Sequence, residues 1–119
     1  MVERIFVGEK RSQTAIKRDW TWEDRHLAAK QLFDALVKSG IDPDEQEFLN
    51  LFDDDGQVDV EALDKLIHAE TPIVAMGKRV HHLLEQFDIP HTEIVHPAAR
   101  GKIRNKVIYQ LHIEERLGK

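Results

Sequence analysis

The chain has 119 residues, 41% apolar and 33% charged, with a formal net charge of −5 and no cysteine. That length suits a single domain spanning 1–119, and the composition suits a folded globule rather than a disordered tail. Lack of cysteine excludes disulfides, thiolate-held iron–sulfur clusters and a cysteine nucleophile. No apolar run approaches the ~20 residues of a bilayer crossing, so no membrane partner is expected. Met1 to Gly8 is too short and too charged for a secretory signal, and the expected location is cytoplasmic.

Charge is uneven along the chain. From Asp53 to Glu70 seven acidic residues stand against one lysine, whereas His96 to Lys106 holds Arg100, Lys102, Arg104 and Lys106 with no acid. The acidic balance argues against wholesale coating of nucleic acid, while the basic segment can hold a phosphate.

Ile5-Phe6-Val7-Gly8 is a continuous apolar run with a β-branched bias, as in a strand buried on both faces of a parallel sheet. Thr21-Trp22-Glu23-Asp24 places a hydroxyl three residues before a carboxylate, and Ala29, Leu32, Phe33 and Leu36 recur at helical spacing up to Gly40. A helix with both ends marked is expected there. Phe48 to Phe52 reads as a second strand, interrupted by Asn50 and ended by the turn Asp53-Asp54-Asp55-Gly56. Asp59 can cap a helix that buries Val60, Leu63 and Ile67.

Pro72 to Gly77 reads as a third strand. Val80, Leu83, Leu84 and Phe87 form the apolar stripe of the next helix, which stops before Ile89-Pro90. Thr92 to Val95 supplies a fourth strand ended by His96-Pro97. From about Ala99 to Leu117, Ile103, Val107 and Leu111 recur at four-residue intervals, and a last helix packs them against the sheet.

Strands and helices alternating in this way imply a three-layer αβα sandwich on a short, mostly parallel four-stranded sheet. Ligands of such sheets bind beyond the carboxyl ends of the strands, where strand order reverses. Gly8 to Ser12, Asn50, Gly77 to Arg79 and His96-Pro97 all fall on that rim.

Asn50 offers a donor and an acceptor to one planar partner, as reading a nucleobase edge requires, or its amide ties down a neighbouring loop. His96 can donate to an oxygen that gains negative charge, or serve as a structural hydrogen-bonder. Arg100, Lys102 and Arg104 lie near the start of the last helix, whose free amides favour a phosphate; the alternative is a solvated basic face. Glu9 can orient water, or be neutralised by Lys10, Arg11, Lys17 and Arg18. Trp20 and Trp22 can stack on a base or anchor the following helix.

The acids of Asp53 to Gly56 do not alternate as a calcium loop requires. His81 and His82, adjacent on a helix, point apart, so no dedicated metal site is expected. With no Gly-rich phosphate loop, nucleophile elbow or dinucleotide fingerprint, no cofactor is expected either.

The set FVGE (Phe6 to Glu9), FLNLF (Phe48 to Phe52), IVAMGKRV (Ile73 to Val80) and HPAARG (His96 to Gly101) resembles the uracil-DNA glycosylase superfamily in order and strand context. The resemblance implies a glycosylase-like fold in which Asn50 recognises the base; Trp22 joins it as a base-binding candidate by its own position, not by the resemblance. It also implies that Glu9 activates water and that His96 stabilises charge on the departing base. Arg100 and its neighbours Lys102 and Arg104 would then meet the DNA backbone, and Lys10, Arg11 and Ser12 of the loop after the first strand are further phosphate-binding candidates.

The implied activity is hydrolysis of the N-glycosidic bond of a deaminated base, with single-stranded or damaged DNA, or a nucleotide, as partner. The first motif departs from the family's pattern: Lys10 stands where many members have aspartate, and the proline that shapes the loop is missing. That departure leaves a second expectation, a non-catalytic module on the same fold that binds nucleotide, nucleic acid or protein.

Overall fold

The computed structural model describes residues 2–99 and 101–118, with Lys102 described in its backbone alone. Four strands, β1 (Ile5–Gly8), β2 (Glu47–Asn50), β3 (Ile73–Met76) and β4 (Thr92–Ile94), form one sheet in the order β2-β1-β3-β4. Every pairing is parallel, with Gly8 opposite Asn50, Phe6 opposite Val74 and Met76 opposite Ile94. The central strands β1 and β3 are buried throughout, as their unbroken apolar runs predict.

Among the described residues five helices accompany the sheet: α1 (Gln13–Arg18), α2 (Ala28–Lys38), α3 (Val60–Ile67), α4 (Lys78–Gln86) and α5 (Lys106–Leu117). Alternation along the strands divides the core in two. On one face Phe6, Val74, Met76 and Ile94 pack with Leu32, Phe33 and Leu36 of α2 and Tyr109 and Ile113 of α5. On the other, Ile5, Val7, Ile73 and Ala75 pack with Leu66 of α3 and Val80 and Leu84 of α4. The result is a compact αβα sandwich. The chain moves from β1 to β2 through α2 on one face, then reverses across β1 to β3 and β4 through α3 and α4 on the other. Reversing direction and face together keeps all crossovers of one hand, and the reversal lies between β1 and β3.

Several boundaries differ from the sequence reading. The carboxylate of Asp24 accepts from the backbone N–H of Thr21 at 2.7 Å, but this cap opens only a 3-10 turn, Trp22–Asp24. The helix itself begins at Ala28. The basic stretch after β1 contains α1, which buries nothing and therefore carries no apolar stripe to read. β2 starts at Glu47 and ends at Asn50; Phe52 makes an isolated antiparallel bridge to Val58. Asn50 thus terminates the strand rather than interrupting it.

Asp59 caps α3 as expected, accepting from Ala62 N at 3.2 Å, yet Val60 and Ile67 face solvent and Leu66 is the buried residue. Phe87 is likewise exposed. In α5 the buried stripe is Tyr109 and Ile113, while Val107 is 63% and Leu111 56% exposed. A 3-10 turn, Lys102–Arg104, resets the helical phase before α5, so a spacing counted from Ile103 selects the wrong face. No helix is long and apolar enough to cross a membrane among the described residues.

Candidate functional site

Glu9 follows β1, Asn50 closes β2, and His96 lies just beyond β4, so the parallel sheet carries all three to one rim. With Trp22 they line a single cavity of about 370 Å³. It opens on the α2 side of the sheet, where Ala28 and Ala29 form one wall and Trp20, Thr21, His26 and Leu27 another. Lys10, Arg11 and Ser12 complete the lining from the loop after β1.

Asn50 is held by Trp22, whose indole Nε1–H donates to Oδ1 at 2.9 Å. The amide oxygen keeps a second lone pair, and the Asn50 NH2 group has no partner among the described residues. Gly8, opposite Asn50 in the sheet, permits this contact. A Cβ there would lie 2.8 Å from the Trp22 ring and 3.0 Å from Asn50 Oδ1. Trp22 itself packs beside Phe48 and tilts against His96, with ring centroids 6.4 Å apart. It therefore serves as both hydrogen-bond donor and cavity wall.

His96 Nδ1 accepts from the backbone N–H of Ala98 at 3.0 Å, so the neutral ring carries its proton on Nε2. Burial pushes the His96 pKa below its usual 6.5, against an opposing pull from Glu9. The imidazole is thus a neutral donor, with Nε2 unpartnered among the described residues. Two contacts fix the backbone that bears it: Tyr109 OH donates to Val95 O at 2.9 Å, and Val95 N–H donates to His112 Nε2 at 2.9 Å. Gly77 at φ +97° passes close beneath, and a Cβ on it would meet His96 Cβ at 3.4 Å.

Glu9 is half-buried and makes no ion pair among the described residues. Arg11 turns away from it. Its guanidinium donates to Asp54 at 3.1 and 2.6 Å, to Asp19 at 3.0 Å and to the Trp20 carbonyl at 3.3 Å. Those acids raise the Arg11 pKa, and Arg11 in return holds Asp54 below the usual carboxylate range. Arg11 therefore ties the cavity loop to the Asp53 to Gly56 turn. Ser12 caps α1 by accepting from Ala15 N–H at 3.2 Å, which leaves its hydroxyl proton free, and Lys10 is exposed at the cavity edge.

The basic segment is only partly in view. Arg100 lies outside the described residues, as does the side chain of Lys102. Arg104 lines a second hollow of about 460 Å³ that shares Leu27, Ala28 and Ala98 with the first. The last helix starts at Lys106, beyond Arg104, and two of its first-turn amides are engaged: Asn105 caps α5, accepting from Val107 N–H at 2.9 Å and Ile108 N–H at 3.3 Å.

Sequence reasoning missed His26, which stacks on Trp20 with ring centroids 4.0 Å apart and lines the cavity. A helix starting at Thr21 places residues 25–27 in its interior, whereas they form the loop that walls the site. Leu27 in that loop has φ +53° and is 55% exposed, a conformation that favours glycine. No protein-family model and no curated protein matches this chain.

Proposed function

We propose that the cavity binds a nucleobase bearing an imide edge, such as a deaminated pyrimidine, and that the protein hydrolyses its N-glycosidic bond. The supporting observation is that two donors without a partner among the described residues, the Asn50 amide and His96 Nε2–H, and the Glu9 carboxylate, unpaired among the same residues, belong to side chains lining one cavity. Its volume of about 370 Å³ falls near the small end of ligand pockets, which run from ~300 to 1,000 Å³.

In this reading Asn50 donates to one ring carbonyl and accepts from the ring N–H through its remaining lone pair. His96 Nε2–H donates to the other carbonyl, where the electron pair of the broken C–N bond collects. A neutral donor suits that task, because it strengthens its hydrogen bond as charge develops without a formal ion beforehand. Glu9 orients the water that attacks the sugar carbon and takes up its proton. The sugar-phosphate then lies toward the neighbouring hollow with Arg104, which shares Leu27, Ala28 and Ala98 with the cavity.

The test is incubation with single- and double-stranded DNA carrying uracil or another deaminated base, followed by alkali. Strand breaks at the modified base are expected, and Asn50→Ala should abolish them while leaving the fold intact. Persistent absence of abasic sites across these substrates removes the hydrolytic reading.

A second reading, a non-catalytic module that binds nucleotide or nucleic acid, rests on a different observation. Arg11 is engaged by Asp54 and Asp19, and Asn105 occupies the first amides of α5, so less of the loop surface is left to grip a duplex. Salt-sensitive binding of a single-stranded oligonucleotide that weakens in Arg104→Ala, without turnover, would favour it.

A further inference from the structure

On the opposite side of the sheet from the cavity, the outer edge of α4 gathers His81, His82 and Glu85 with His91 and Glu93 from the following loop and β4. One ring nitrogen from each of His81 and His82 and a carboxylate oxygen of Glu85 lie within 4.8 Å of one another. Adjacent helical residues point about 100° apart, yet the two imidazole rings stand only 5.4 Å apart between centroids. We infer that this edge is a binding site for a divalent transition-metal ion of the zinc class, held by His81, His82 and Glu85 and completed by Glu93.

The orientation of His81 carries the argument. The Ile89 carbonyl accepts from His91 Nδ1 at 2.7 Å, so that nitrogen bears a proton. In a neutral ring, His91 Nε2 then presents a lone pair, and it lies 2.7 Å from His81 Nδ1, which must donate. The second nitrogen of His81 is thereby left with its lone pair facing two carboxylates, Glu85 at 2.6 Å and Glu93 at 3.9 Å. A lone pair cannot sit that close to a carboxylate unless a cation lies between them. At 2.6 Å a proton fills that place, and a metal ion can take it only once the nitrogen and the oxygen move apart.

This is the arrangement of a metal-bound histidine: one ring nitrogen on the ion, the other fixed by a hydrogen-bond partner that is itself held. Two imidazoles and carboxylate oxygens form a zinc-type donor set. Ligands at ~2.0 Å on a tetrahedral zinc stand roughly 3.3 Å apart. The donors lie within 4.8 Å of one another, and the exposed side chains of Glu85 and His82 can shift to meet an ion at those distances. Glu93 belongs to β4 and the other donors to α4, so the ion would pin helix to strand. The inference stands apart from the nucleobase reading, since none of these residues lines the cavity.

The experiment titrates the full chain, without any affinity tag, with zinc alone by calorimetry and with cobalt by visible absorption, alongside thermal unfolding. One equivalent of zinc should bind in the micromolar range and raise the melting temperature, and cobalt should give intense bands of low coordination. His81→Ala should abolish binding, Glu93→Gln should weaken it, and His91→Ala, which removes only the orienting partner, should weaken it ~10- to 100-fold. His68→Ala, at an exposed histidine elsewhere, should leave it unchanged. The proposal is overturned by absence of stoichiometric binding, or by binding that survives in a folded His81→Ala variant, with unchanged circular dichroism as the check on folding.

Discussion

The indole of Trp22 and the amide of Asn50 are joined by a 2.9 Å hydrogen bond across 28 residues of sequence, directly over the bare Cα of Gly8. This contact sets the orientation of the amide, because the indole can only donate and therefore selects the oxygen. The NH2 group is left as a donor without a partner among the described residues.

Replacing Trp22 by Phe keeps an aromatic wall and removes the donor. A partly buried neutral hydrogen bond contributes ~1 kcal/mol, so urea unfolding should show a loss of that order. Base binding should fall further than stability, since the freed amide can rotate. An unchanged unfolding midpoint together with unchanged ligand affinity would show that the bond orients nothing.

Gly8→Ala places a methyl group 2.8 Å from the Trp22 ring and 3.0 Å from Asn50 Oδ1. Overpacking of this kind costs about 1 to 3 kcal/mol. The expected outcome is a destabilised but folded protein with altered indole fluorescence and impaired ligand binding. A variant that matches the wild type in stability and fluorescence would contradict the close approach.

His96 gives the pH dependence a definite sign. Its pKa in the folded protein lies below the usual 6.5 because burial penalises the imidazolium. Between those two values the unfolded chain binds the proton and the folded chain does not. Stability is therefore full above pH 6.5 and declines as pH falls through the folded pKa. His112, also lowered by burial and accepting from Val95 N–H, acts in the same direction. Denaturation across pH 4 to 8 should show a slope that flattens in His96→Gln and further when His112 is also replaced. Proton NMR should place the His96 midpoint below 6.5, and a midpoint above that value would reverse the assignment.

Leu27→Gly should stabilise the protein. Leu27 sits at φ +53° immediately before α2 and is more than half exposed, so glycine relieves backbone strain and gives up little burial. Relief of about 1 kcal/mol, partly offset by the greater freedom of glycine in the unfolded chain, should appear as a small rise in melting temperature. A fall of a degree or more would show that the conformation is not strained.

Much of the scaffold follows from local pattern. Ile5–Gly8 and Ile73–Met76 are buried on both faces, and their unbroken apolar runs announce it. Asp59 caps α3 because a carboxylate before an apolar-periodic run satisfies free amides wherever it occurs. Strands in order, each followed by a helix, lead to a parallel sheet and to its carboxyl rim, where Glu9, Asn50 and His96 lie. What local pattern misreads is phase. Val107 and Leu111 have the spacing of a buried stripe, but the 3-10 turn at Lys102–Arg104 rotates α5 and presents Tyr109 and Ile113 instead.

The amino-acid order alone determined the layered architecture and the rim where polar residues gather, because those depend on periodicity and strand direction. Tertiary packing decided which atoms of those residues remain available. Trp22 takes one lone pair of Asn50, Ala98 takes Nδ1 of His96, and Asp54 and Asp19 take the guanidinium of Arg11, each from a position that spacing does not mark. The His81 cluster shows the same division: two neighbours on one helix diverge by local geometry, and only contact with His91 and Glu93 turns His81 into an oriented donor. Hydrogen bonds of this kind are set by distances between elements, and such distances exist only once the sheet has formed.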